Sequence, residues 1–269
     1  MLTYLGVAGW PVAHSRSPAI QNAALAAAGL SGWRYLKLPL PPEHFAEVVR
    51  ALPAAGFRGI NVTIPYKEAA LALADAATAT AAAVGAANTL TFEPSGAIHA
   101  DNTDVRGLLE ALPVDPAGMT ALVLGAGGAA RAAVHALNAA GAADVMVWNR
   151  TPERAERLVA DVGGRVVSAP EQASLVVNCT SVGLRPADSA FKSLPLDADT
   201  FGVGSYVADM VYKPGGTELL AEAKRRGATV TTGLEILVAQ GAASFERWTG
   251  QTASRRAMLA TVEDTAQST

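Results

Sequence analysis

The sequence predicts an α/β protein made of two α/β halves built on parallel sheets. Three observations predict it. Apolar runs of strand length alternate with helix-length stretches along the chain, the pattern of βαβ units. A Pro- and Gly-containing connector, residues 113–118, interrupts that alternation. At 269 residues, 50% of them hydrophobic, the chain is long enough for two parts with a core each.

The elements follow in order. Residues 2–8 form an apolar first strand closed by Gly9. The next segment, Gly9-Trp-Pro-Val-Ala-His-Ser-Arg-Ser-Pro18, is a Pro-bounded loop with two serines one residue apart. Ser17 before Pro18 suits the cap of a helix over 18–28 that stops at Gly29. A cap accounts for one serine. Ser15 and Ser17 together can also aim two hydroxyls at one anion. Residues 33–38 make a second strand. Pro41-Pro42-Glu43 opens a helix with Phe45, Val48, Val49 and Leu52 on one face. In a third strand, residues 59–64, alternation puts Ile60, Val62 and Ile64 on one face and Asn61 and Thr63 on the other. Pro65 stops it, and Tyr66-Lys67-Glu68 begins a helix. Lys67 thus stands just past a strand end, where open α/β sheets place ligands, although a lone lysine in a first turn is more often a solvated charge.

Residues 68–87 are Ala-rich and helix-favouring, with breaks expected at Asp75 and Gly85. Residues 88–92 and 97–100 are strands joined by the turn Glu93-Pro-Ser-Gly96. Asp101-Asn-Thr-Asp104 leads into a helix reaching 112. Either acid could cap that helix, but the cap does not need both.

After the connector, residues 120–124 are again a strand. Gly125, Gly127 and Ala130 fit G-x-G-x-x-G/A, a helix follows over 129–140 to Gly141, and residues 144–148 form the next strand. This is a Rossmann-type, dinucleotide-binding βαβ unit. Gly125 permits the tight turn, Gly127 lets the backbone approach a pyrophosphate, and Ala130 lets the helix pack close to the strand. The amides opening the helix then face the phosphates. The plainer alternative is a turn that only packs helix on sheet. The second strand ends at Trp148-Asn149-Arg150, with no acid to grip a ribose 2′-hydroxyl. Arg150 and Arg154, unless merely solvated, would accommodate a 2′-phosphate, so NADP is expected over NAD. A helix over 152–160 and strands over 165–167, 175–179 and 206–212 come next. A turn at Pro214-Gly-Gly216, a helix over 217–226 and a strand over 228–231 lead to Gly233. Residues 234–248 and 254–263 are helical, and a polar tail is expected to fray.

The net charge is −3 without a basic stripe, so no nucleic-acid partner is expected. No apolar run reaches the ~18 residues of a membrane span. The start lacks the pattern of a signal peptide, and the single cysteine, Cys179, excludes an intrachain disulfide; the cytoplasm is the expected location. The few His and Cys have no ligand spacing, so no metal is expected.

Gly9-Trp-Pro-Val-Ala-His-Ser-Arg-Ser-Pro18 resembles the opening signature of the shikimate dehydrogenase family. Asn61-Val-Thr-Ile-Pro-Tyr-Lys67, Ala87-Asn-Thr89 and Asp101-Asn-Thr-Asp104 resemble further signatures, in the family's order. The Gly125 turn, Asn149-Arg-Thr151, Asp209-Met-Val-Tyr212 and Gly233-Leu-Glu-Ile-Leu-Val-Ala-Gln-Gly241 extend the resemblance over nearly the whole chain. It implies a substrate domain over 1–103 and an NADP-binding Rossmann domain over 104–233. It also implies C-terminal helices, 234–269, that return to the first domain. The implied reaction is reversible NADPH-dependent reduction of 3-dehydroshikimate to shikimate, toward aromatic amino acids, by a monomer or homodimer. By the same resemblance Ser15 and Ser17 hold the substrate carboxylate. Thr63, Asn88, Asp104, Tyr212 and Gln240 surround its ring hydroxyls, and Lys67 is the acid/base, oriented by Asp104. Gly125, Ala126, Gly127, Gly128 and Ala129 are implied at the cofactor, with Asn149, Arg150, Thr151, Arg154, Met210 and Gly233.

Two departures stand out. Val105 stands where the family commonly has Gly, which implies a packing difference. Thr78-Ala79-Thr80 occupies the place where some members carry an acid, so no cofactor contact carries over there. The signatures also suit a quinate/shikimate dehydrogenase using NAD, an aminoshikimate-type enzyme, or a non-catalytic sensor. The presence of both Lys67 and Asp104 weighs against the sensor.

Overall fold

The structure is a computed structural model that describes residues 2–169, 171–185, 187–213 and 215–263. Pro214 of the expected turn and the tail beyond Glu263 lie outside the described residues. The chain forms two compact units, Met1–Gly107 with Val238–Thr269, and Leu108–Leu237.

The first unit contains β1 (Thr3–Gly9), α1 (Ser17–Ala27), β2 (Trp33–Pro39), α2 (Phe45–Ala51), β3 (Phe57–Val62) and α3 (Lys67–Leu73). β4 (Ala76–Ala77), α4 (Ala79–Val84), β5 (Thr89–Phe92), β6 (Ile98–Asp101) and the start of α5 (Thr103–Ala111) follow. Its sheet runs β2-β1-β3-β5-β6-β4. The pairings of β1 with β2 and β3, and of β4 with β6, are parallel. β5 is antiparallel to both neighbours, so the sheet is mixed. This register decides where the chemistry sits. Asn61 near the end of β3 faces Thr89 at the start of β5, which faces Asp101 at the end of β6. The loops after β1, β3 and β6 and the loop before β5 therefore share one edge. Ile60, Val62, Leu90, Phe92 and Ile98 form the core below it with Phe45 and Val49.

Three local expectations change. Arg16, not Ser17, holds the cap position of α1, because Ser17 is already the first helical residue and the Arg16 carbonyl accepts from Ala19 N and Ile20 N. β3 ends at Val62, and Ile64 is 69% exposed rather than facing the core. The chain turns there: Tyr66 N donates to Thr63 O. The Ala-rich stretch does break at Asp75 and at Gly85, which closes α4 with φ +69°. Between the two helices lies β4, a strand of two alanines that favour helix on their own and is held by pairing with β6.

The second unit contains β7 (Thr120–Leu124), α6 (Gly128–Ala139), β8 (Asp144–Trp148), α7 (Pro152–Val162) and β9 (Arg165–Val166). β10 (Leu175–Asn178), α8 (Ala190–Ser193), β11 (Tyr206–Asp209), α9 (Glu218–Arg225) and β12 (Thr229–Thr231) complete it. Its sheet is wholly parallel, in the order β12-β11-β10-β7-β8-β9. From β7 the chain winds out one way through β8, then returns to β10 on the other side. The order reverses beside β7, where such sheets bind ligands. α8, which no periodic pattern announced, buries Ala190 against this core, and Leu194 and Phe201 beyond it are buried there too.

Two helices close the chain, α10 (Gly233–Thr249) and α11 (Arg255–Glu263). α10 starts with a capping box. Glu235 Oε2 accepts from Thr232 N at 2.7 Å, and Glu235 N donates back to Thr232 Oγ1 at 3.3 Å. The unit divisions fall inside α5 and α10. In the first unit, the Trp248 indole covers Gly59 and donates to Leu90 O at 3.1 Å. Among the described residues no helix is long and apolar enough to cross a membrane.

Candidate active site

Lys67 is the first residue of α3, and the backbone before it is well anchored. Tyr66 is buried, stacks on Phe45 with ring centroids 4.2 Å apart, and donates its hydroxyl to Leu40 O. Burial, with Glu43 nearby, holds its phenol above the ordinary pKa. Ala87 N donates to Lys67 O at 2.8 Å, tying the lysine to the start of β5. Lys67 Nζ then donates to Asp104 Oδ2 at 2.5 Å, with the side chains only 14% and 9% exposed.

Asp104 is in the first turn of α5, where a carboxylate also suits the helix dipole. Its Oδ1 accepts from Asn88 Nδ2 at 2.8 Å. The same amide nitrogen reaches Gln240 Oε1 at 3.3 Å. Asn88 is fixed from behind, because its Oδ1 accepts from Thr103 N at 2.8 Å. A backbone N–H can only donate, so the amide cannot flip and must present its nitrogen to Asp104.

The sequence did not announce the network behind Asn88. Thr89 Oγ1 and Thr103 Oγ1 both reach Asn88 Oδ1. Ser244 Oγ sits among Asn61 Nδ2, Thr89 Oγ1 and Thr103 Oγ1 at 2.8, 3.0 and 3.0 Å. Tyr35 donates its hydroxyl to Asn61 Oδ1 at 2.8 Å. The available signal was Ser244, one turn beyond Gln240 in α10. The first acid of Asp101-Asn-Thr-Asp104 is a brace. Asp101 accepts from Thr78 Oγ1 and Asn102 N, and pairs with Arg247 at 3.0 Å.

The serine loop follows β1 on the same edge. Ser15 and Ser17 are buried, and Ser15 Oγ accepts from Ser17 N at 3.3 Å. Among the described residues neither hydroxyl donates to a protein acceptor, and the hydroxyl of Thr63, just beyond β3, has no partner. Tyr212 belongs to the second unit, beyond the end of β11.

In that unit Gly125 follows β7 with φ +113°, and an added Cβ would lie 3.2 Å from the Cys179 backbone. Gly127 caps α6 with no side-chain bond, and a Cβ there would meet nothing within 4 Å. A helix of this length that opens without a side-chain cap, through Gly128 and Ala129, suits a phosphate; Ala126 lies within the turn. Asn149 Nδ2 donates to Thr151 O at 2.8 Å and shapes the loop after β8. Arg150 and Arg154 are exposed, with no ion pair among the described residues. Met210 N donates to Asn178 O at the end of β11. A Cβ on Gly233 would lie 2.6 Å from Val211 O. The donors and cations present fit a dinucleotide with a 2′-phosphate.

A lysine paired with a carboxylate in one unit and a glycine turn of the dinucleotide-binding type in the other are the parts of a nicotinamide-dependent oxidoreductase. Comparison with known proteins gives the family. Residues 7–90 match the model of the shikimate dehydrogenase substrate binding domain, residues 110–180 that of shikimate / quinate 5-dehydrogenase, and residues 233–263 that of the shikimate 5'-dehydrogenase C-terminal domain. The chain is 46% identical over 273 residues to shikimate dehydrogenase (NADP(+)) of Paracoccus denitrificans, covering 95% of each. It is similar to the Thermus thermophilus shikimate 5-dehydrogenase solved with NADP(H) and shikimate, at 41% identity, TM-score 0.87, and 98% and 99% coverage. The Aquifex aeolicus shikimate dehydrogenase structure gives a TM-score of 0.90 at 37% identity, covering 98% of each chain. The chain belongs to the NADP-dependent shikimate dehydrogenase family.

Proposed function

We propose that this chain catalyses the reversible reduction of 3-dehydroshikimate to shikimate with NADPH, a step of the shikimate pathway. The Lys67–Asp104–Asn88 array is the observation that carries the reading. NADPH, when bound, supplies the hydride. Reduction of the ketone leaves an alkoxide oxygen, and the Lys67 ammonium gives it a proton; in the reverse direction the Lys67 amine takes the hydroxyl proton. Asp104 holds Lys67 in place and keeps one oxygen near a ring hydroxyl. Ser15 and Ser17 donate their unspent protons to the substrate carboxylate. Thr63, Asn88, Gln240 and Tyr212 bind the ring hydroxyls. Gly125 to Ala129, Asn149 to Thr151, Arg154, Met210 and Gly233 hold the cofactor. The enzyme works as a monomer or homodimer in the cytoplasm, without nucleic acid or membrane. Turnover of shikimate and of quinate, each with NADP and NAD, tests this. Shikimate with NADP should give the highest kcat/KM; no turnover of that pair overturns the reading.

A further inference from the structure

The segment of α10 that carries Gln240 is gripped from two sides. On one side lies Gly107 of α5. A Cβ there would sit 2.5 Å from Gln240 Cβ, 2.7 Å from its backbone N and 2.8 Å from its Cα. The two helices touch backbone to backbone, and only glycine permits it. On the other side lies Gln21 of α1, fully buried, whose Nε2 donates to Gly241 O at 2.8 Å. Gln21 Oε1 has no partner among the described residues. A half-satisfied buried amide is a poor choice for packing alone, since an orphaned acceptor costs stability. Its one bond falls on the residue after Gln240.

We propose that Gly107 and Gln21 are positioning residues that set the depth and register of α10, so that Gln240 meets Asn88 beside Asp104. The inference rests on the reading of Gln240 as a substrate-binding residue. Neither residue touches substrate; both act through Gln240.

The test is steady-state kinetics of Gly107→Ala, Gln21→Met, Gln240→Ala and the two double variants with Gln240→Ala, with melting curves for each. Gln240→Ala should raise KM for shikimate by about 3- to 10-fold, the scale of one lost neutral hydrogen bond, and more than it lowers kcat. Gly107→Ala and Gln21→Met should do the same while leaving KM for NADP unchanged. In the Gln240→Ala background neither should raise KM for shikimate further, although losses in Tm still add. A purely structural role predicts lower Tm with normal KM, or KM effects that add, and either result overturns the proposal. A normal KM in Gln240→Ala alone would overturn the reading of Gln240 first and the inference with it. If Gly107→Ala does not fold, Gln21→Met decides. Gly241 O keeps its helical hydrogen bond there, so that change orphans no group.

Discussion

Lys67 Nζ stands 2.5 Å from Asp104 Oδ2, and the other oxygen of that carboxylate is held by Asn88 Nδ2 at 2.8 Å. The lysine is therefore positioned by an acid that is itself positioned, from the starts of two helices that follow strands ending on one edge.

Lys67→Ala should lower kcat by about 10²-fold or more, the scale of losing a general acid/base, with little change in KM. The variant should fold, because Asp104 keeps the hydrogen bond from Asn88. Kinetics with a melting curve decide it: a folded variant with wild-type kcat removes Lys67 from the mechanism.

Asp104→Asn should impair both parameters. The new NH2 group must face either Lys67 Nζ or Asn88 Nδ2, and Asn88 cannot turn away because Thr103 N pins its oxygen. A loss of about 10- to 100-fold in kcat/KM is expected, the scale of a hydrogen bond to a charged group. A lower Tm with normal kinetics would reduce Asp104 to a helix-end acid.

The sequence made the edge legible through local signals. Strand-length runs stop at Gly9 and near Pro65, and an acid-rich turn precedes Thr103, so Ser15, Lys67 and Asp104 could be placed after strands before any contact was known. What lay hidden depends on distant pairing. Asp101 is braced by Arg247, and Asn61 meets Ser244, only because α10 packs across the ends of β3 and β5. Alternation along residues 59–64 could not show that the chain leaves the sheet after Val62. Ala76 and Ala77 read as helix because their strand exists only through β6.

Ser15→Ala and Ser17→Ala should each raise KM for shikimate more than they lower kcat, since a carboxylate anchor acts equally in ground and transition states. The scale is about 10-fold for a hydrogen bond to a charged group. Normal KM in both variants would leave the loop a structural turn.

Arg150→Ala should raise KM for NADP by about tenfold and spare NAD, because the exposed guanidinium has no acidic partner among the described residues. Equal effects on the two cofactors would show that Arg150 does not read the 2′-phosphate.

Asp209 gives a prediction about pH and stability. It ends β11 fully buried, accepting from Thr217 Oγ1 at 2.7 Å, Asn178 Nδ2 at 2.9 Å and Val211 N at 3.0 Å. Burial outweighs these bonds and raises its pKa above the ordinary carboxylate value. The folded protein therefore keeps this proton at a pH where the unfolded chain has lost it. Between the two pKa values the native state binds more protons, so this group's contribution to stability falls as pH rises, and its full cost is present above the folded pKa. Asp209→Asn removes the charge, and its oxygen can still accept from Val211 N and Asn178 while the Thr217 hydroxyl turns to accept from the new amide. The variant should match or exceed the wild type in Tm near neutral pH, and that margin should shrink as pH falls toward about 4. Melting curves of both proteins from about pH 4 to 8 measure the margin. A margin that stays flat, or one that grows on acidification, would mean that the buried Asp209 carboxyl is not the group being titrated.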